Sequence, residues 1–149
     1  MAQFDSLNGT EQALGLSATL SGTTPAKGNI IDMQGWGSLK FAVQTGTVTD
    51  AGTTSGFAFE VQESDTTADA DFTAVADADL IGTEAALTVT SDDADNSAIG
   101  SIGYRGSKRY VRIVATGTTG TNAVVSVSAE KGHGSVMGSA TIADNISAT

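Results

Sequence analysis

Four of the seven cations, Arg105, Lys108, Arg109 and Arg112, fall within eight residues of a chain whose formal net charge is −10. Tyr104 and Tyr110 flank the group. The planar fork of Arg binds carboxylates bidentately, and Tyr and Arg are frequent interface anchors. The cluster has two readings. It pairs with carboxylates of its own domain, or it offers an electropositive patch to an acidic partner such as a neighbouring copy. Trp36 is the seventh interface candidate. It is the sole Trp and stands between Gly35 and Gly37. In that turn-like context it either plugs one end of the domain or anchors a partner or a sugar.

Other chemistry finds less support. Most of the 17 Asp and Glu residues lie between Glu60 and Asp95, and Asp69, Asp71, Asp77, Asp79, Asp92, Asp93 and Asp95 read as loop residues. Alternating loop carboxylates are calcium ligands in principle. However, Asp93-Ala94-Asp95 continues as Asn96-Ser97-Ala98, without the Gly and Glu that complete a calcium loop. A solvated acidic rim is the expectation. A glycosidase pair needs one carboxyl in an apolar pocket, and these carboxylates sit among Thr and Ala. The single His, His133, lies in Gly132-His133-Gly134-Ser135, with no G-x-S-x-G elbow, and reads as an arm residue. The absence of cysteine excludes disulfides, Cys-ligated zinc, iron–sulfur clusters and thiol catalysis. No phosphate-binding loop or dinucleotide fingerprint occurs. The expectation is a non-enzymatic binding protein with no cofactor and no metal. A pI of about 4.1 argues against nucleic acid and against an anionic membrane surface. No apolar run has the length of a spanning helix, and Met1–Leu16 lacks a secretory pattern. Synthesis in a cytoplasm, with release by assembly or lysis, follows as an expectation.

The elements that must position these residues read as strands. The chain has 149 residues, enough for one domain with arms. Leu, Ile, Val and Phe make up roughly a fifth of it and Gly, Ser and Thr about a third, a composition for short strands around a lean core. Leu39, Phe41 and Val43 alternate with polar or small residues, as do Phe57, Phe59 and Val61, the period of half-buried strands. Further strands are expected at Asn29–Met33, Phe72–Ala76, Leu80–Thr83, Ala86–Thr90 and Ala98–Tyr104. The runs Lys108–Thr116 and Ala123–Glu130, joined by a Gly-containing turn, read as a hairpin. Gly46–Gly56 reads as a loop, or as a loop carrying the frayed end of a hairpin. About eight strands and no amphipathic helix predict an all-β antiparallel β-sandwich, jelly-roll-like. The domain is expected over residues 28–131, with an N-terminal arm over 1–27, part of it able to pair as an edge strand, and a C-terminal arm over 132–149. The expected core is Leu39, Phe41, Phe57, Phe59, Val61, Leu87, Val89, Val111, Ile113, Val125 and Val127. Residues 1–25 and 133–149 are expected to be cut by protease in the free protein and protected when bound.

Four segments carry a resemblance, one of them Phe72-Thr73-Ala74-Val75. Asn29-Ile30-Ile31-Asp32-Met33 is similar to an N-I/V-I-D-L motif, with Met33 in place of Leu. Phe59-Glu60-Val61-Gln62-Glu63-Ser64-Asp65 is similar to a V-x-L-x-x-S-D strand and turn. Gly106-Ser107-Lys108-Arg109-Tyr110-Val111-Arg112, preceded by Tyr104-Arg105, is similar to a G-x-x-R-Y-V/L-R strand. Over residues 28–131 this pattern resembles the capsid cement or decoration proteins of tailed bacteriophages. The resemblance implies a virion structural protein that binds the outer surface of the phage head and stabilises contacts between major capsid protein subunits. Its implied partners are the major capsid protein and itself, as a homodimer or homotrimer. The competing expectation is a carbohydrate- or receptor-binding β-sandwich module of a virion or cell surface, with or without dependence on calcium.

Overall fold

The computed structural model describes residues 9–134. Ten strands follow in chain order: β1 (Thr10–Ser21), β2 (Ala26–Lys27), β3 (Ile31–Asp32), β4 (Trp36–Asp50), β5 (Ala58–Ser64), β6 (Thr73–Ala74), β7 (Leu80–Ile81), β8 (Ala98–Tyr104), β9 (Tyr110–Thr116) and β10 (Asn122–Gly134). They form two antiparallel sheets. The first has the order β1-β10-β4-β8-β7; the second has the order β2-β9-β5-β6, with β3 also on β9. β2 and β3 both line one edge of β9, at Ala115 to Val114 and at Val111 to Tyr110. They act as one strand interrupted at Gly28–Ile30. Counted so, and with β7 as a short addition, eight strands take the orders 1-8-3-6 and 2-7-4-5. That is jelly-roll connectivity.

Every residue expected in the core is buried there. The inward faces of β4, β5, β9 and β10 supply most of it, because side chains two apart on a strand share a face. Phe57 and Phe59 meet edge to face, with centroids 6.1 Å apart. The two sheets also approach each other at their β1 and β2–β3 edges. There the Asn29 N–H donates to the Gly15 carbonyl and the Gly28 N–H to that of Ile113. A Cβ on Gly28 would lie 2.4 Å from the Gly15 oxygen and 2.6 Å from that of Ile113. Only glycine lets three backbones meet there.

Several expectations are corrected. The sandwich does not begin at residue 28. β1 is a twelve-residue strand paired along β10, and its Leu16 and Leu20 are buried. A register shift between Leu14 and Leu16 turns one outward and the other inward, which breaks the period-2 pattern. Residues 10–27 are therefore part of the fold, and protease protection of Leu16 and Leu20 needs no partner. β10 likewise runs past Lys131 to Gly134. The rest of both expected arms, residues 1–8 and 135–149, lies outside the described residues. Gly46–Asp50 continues β4 instead of looping. Ala86–Thr90 is not a strand: Glu84–Leu87 form a 3₁₀ turn, and Val89 makes one bridge to Phe57. The helix-favouring Glu-Ala-Ala-Leu run lays Leu87 into the core this way. Finally, β9 and β10 are no hairpin. The turn between them crosses from one sheet to the other, packed on Ala51 through the Thr121 hydroxyl.

Candidate interaction site

Strands β4 and β9 begin, and β5, β8 and β10 end, at one end of the sandwich. The links β3–β4 and β8–β9 meet there around a cleft of about 460 Å³. Trp36, Tyr104, Lys108 and Arg109 line it, with Gln34 and Ser107 between them. Four of the seven interface candidates are thus brought together. Trp36 is not in a free turn: it opens β4, half-buried, with its ring below the Lys131 ammonium at 5.1 Å. Lys131 is itself buried and bridges to Glu11 at 2.5 Å. This pairing was not legible in sequence, because Lys131 stands just past Glu130, the last residue of the strand expected there.

Tyr104 faces inward from β8. Its hydroxyl donates to Glu63 Oε2 at 2.6 Å and accepts the Lys108 N–H at 2.9 Å. Burial raises its pKa well above the ordinary phenol value, and Glu63 adds to the rise. The ring is therefore a fixed neutral wall that holds the Gly106–Lys108 loop. A Cβ on Gly106 would lie 2.5 Å from that hydroxyl.

Each basic residue meets a partner inside the domain. Arg109 grips Asp32 with a two-pronged contact, Nε to Oδ1 at 3.0 Å and Nη2 to Oδ2 at 2.9 Å, and stacks over Tyr110 at 5.0 Å. Lys108 pairs with Asp65 at 2.5 Å. Both pairs are exposed, so they stabilise little and leave the cations open to exchange partners. Arg105 turns away and donates twice to the Ala78 carbonyl. Arg112 is different. It stands on β9, which lies between β5 and the β2–β3 pair. Its side chain is only 6% exposed, bonded to Gln62 and Asp69, with Phe72 under the guanidinium at 4.1 Å. Here the domain's own pairing accounts for the residue.

The acidic loops also work locally. Asp92 accepts the Ala51 N–H at 2.7 Å, Asp95 that of Val48 at 2.5 Å, and Glu84 that of Val61 at 2.6 Å. These carboxylates replace strand partners for backbone donors. Among the described residues, no group of three or more His, Cys, Asp or Glu gathers as a metal site. One contact that sequence reading missed is Ser38 Oγ to His133 Nδ1 at 2.9 Å. His133 has φ of 53°, and the glycines on either side are the only sequence signal of that kink.

Two sets of carboxyls oppose each other in acid. Hydrogen bonds from Arg109, and from Lys27 and Arg112, hold Asp32 and Asp69 below the ordinary carboxylate value. Their stabilisation is full above that value and is lost as pH falls through the lowered one. Burial raises Glu84, with Glu60 and Asp77 adding to the rise against the Val61 bond. Its folded form binds the proton more tightly, so ionisation at neutral pH costs stability. Glu84→Gln keeps an oxygen for the Val61 N–H and removes the charge. The variant is expected to be more stable than wild type at pH 7, by less than about 1 kcal/mol after solvent screening. The gain is expected to vanish in acid, once wild-type Glu84 is protonated. Thermal melts across pH check this; a constant difference at all pH would refute it.

No protein-family model, curated protein or solved structure matches the chain.

Proposed function

We propose that the protein is a virion decoration protein that binds the outer surface of a tailed-phage head and joins major capsid protein subunits. One observation carries the reading. The four segments that resemble such proteins are distant in sequence but adjacent in the fold, Phe72–Val75 joining β5 through β6. β3, with Ile31-Asp32, lies on one side of β9, and β5, with Phe59–Ser64, lies on the other. The link after β3 and the Gly106–Arg109 loop line the cleft with its two exposed cations, and Asp65, just past β5, pairs with one of them, Lys108. A jelly roll with this rigid end suits docking across a subunit boundary, with Lys108 and Arg109 exchanging Asp65 and Asp32 for carboxylates of the shell.

The test is cosedimentation with genome-free expanded heads of the phage that carries the gene. The protein is expected to sediment with them. Reversing the two exposed charges, Lys108→Glu with Arg109→Glu, is expected to lower head occupancy by about tenfold at low salt with an unchanged circular dichroism spectrum. The wild-type interaction is expected to weaken with salt, as the screening length falls from about 10 Å at 0.1 M to about 3 Å at 1 M. Normal decoration by the double variant at both salt concentrations would confine the cluster to pairing within the domain. The cleft favours one second reading, a carbohydrate site, because an indole face beside Gln34, Ser107 and Arg109 has the mix of apolar platform and polar groups that sugars take. Binding to a glycan array, lost in Trp36→Ala, with no binding to heads would select it.

A further inference from the structure

Charge is unevenly spread over the sandwich. The second sheet's outer face carries Lys27, Glu60 and Arg112, with Asp69 against it. The first sheet's outer face does not follow this pattern. Its strand register sets out rows of side chains. One row, Gln12, Glu130, Lys40, Gly103 and Ile81, crosses all five strands. The next is Leu14, Ser128, Ala42 and Ser101, followed by Ser17, Ser126 and Gln44. The only charges in these rows are Lys40 and Glu130, which pair with each other at 3.4 Å. Among the described residues, three of the four large apolar side chains that stand exposed are on this face: Leu14 at 52%, Ile81 at 60% and Val124 at 40%. Beside Ile81 a groove of about 640 Å³ runs over Ser38, Gly103 and Gly132, where short side chains leave the sheet bare.

We propose that this face is the seat of a second copy of the same chain, packed sheet to sheet as a twofold dimer. Three arguments favour a second copy. Two chains of net charge −10 repel at most surfaces, and this neutral face is where they meet without like charges opposed. A twofold interface must be self-complementary, which a surface of small neutral residues with a few apolar ones satisfies without needing opposite charges. The size also fits. Five strands at about 4.8 Å spacing and some nine residues at about 3.3 Å rise give roughly 700 Å², near the ~800 Å² each partner buries in a stable interface. Ser, Ala and Gly in the central rows let two sheets come to the ordinary ~10 Å separation.

This inference does not rest on the capsid reading. The full chain is examined by sedimentation equilibrium over a wide concentration range, at low and high salt. A dimer is expected, and it is expected to tighten with salt, since screening removes the repulsion of the two acidic chains. Ser128→Lys and Ser101→Lys, each at an exposed position of this face, are expected to weaken it by at least about tenfold. Thr116→Lys, exposed on the outer side of the second sheet, is expected to leave it unchanged. Circular dichroism is expected to be identical in all three variants. A wild-type chain that stays monomeric, or a dimer indifferent to Ser128→Lys and Ser101→Lys, overturns the proposal. If the chain is monomeric and the same two variants lose binding to phage heads, the face is the shell's seat instead. The second-copy proposal then fails while the capsid reading stands. A dimer with these sensitivities that ignores heads upholds the proposal and removes the capsid reading.

Discussion

Phe59→Ala is expected to destabilise the domain by about 3–5 kcal/mol, the cost of a large-to-small change in a packed core. Phe59 points inward from β5 and is 2% exposed, with Phe57 against its edge. Two terms add: the ring's transfer from water is lost, and the vacated space closes only in part. The surrounding side chains, Val61, Ile113 and Ala115 among them, are short, and their backbones are held in ladders on both sides of β5. Collapse into the gap is therefore limited. A domain of this size has total stability of about 5–15 kcal/mol, so the variant sits near the unfolding threshold. Thermal and urea unfolding of the two proteins under the same conditions measures the difference. A loss below about 1 kcal/mol would mean that the core relaxes around the missing ring.

Such core residues were the most legible part of the chain. Phe41, Phe59 and Val61 stand in strict alternation, and alternation survives in the fold because both sheets have one wet face. Legibility failed where the backbone departs from a regular ladder. Leu14 and Leu16 look like one face of a strand, but the bulge at Gly15 places them on opposite faces. Thr47 and Thr49 gave no apolar signal, yet β4 continues through them because β10 supplies their pairing near Val48. The turn after β9 carries the Gly and Thr of a hairpin. Turn chemistry fixes local backbone angles, not which sheet the next strand joins, so the crossing between sheets was invisible. In the candidate site, the types of Trp36, Lys108 and Arg109 marked them, but their meeting at one cleft depends on strand ends that only the topology brings together. Lys131 and Gln34 had no such mark.

Arg112 shows the same limit with an energetic consequence. In sequence it belongs with Lys108 and Arg109; in the fold it is a buried cation whose stem and guanidinium cover Phe72. Arg112→Glu is expected to cost about 2–3 kcal/mol, because it places an unpaired carboxylate at a position only 6% exposed, although Asp69 itself stays largely exposed. The new carboxylate would lie beside Asp69 and would lose the favourable contact with the ring face. Arg112→Met is expected to be far milder, because its chain still packs on Phe72 and leaves no charge behind, while Asp69 keeps Lys27 at 2.6 Å and solvent. Arg109→Glu, at an exposed pair, is expected to leave the melting temperature near that of wild type. The order to be measured by thermal melts is thus wild type and Arg109→Glu highest, Arg112→Met next and Arg112→Glu lowest. High salt is expected to lessen the Arg112→Glu deficit only in part, since the repulsion with exposed Asp69 is screened while the burial of the new carboxylate is not. If Arg112→Glu melts with wild type, its guanidinium is not held between Phe72, Gln62 and Asp69. Its charge would then have to be counted with Lys108 and Arg109 at the surface that meets a partner.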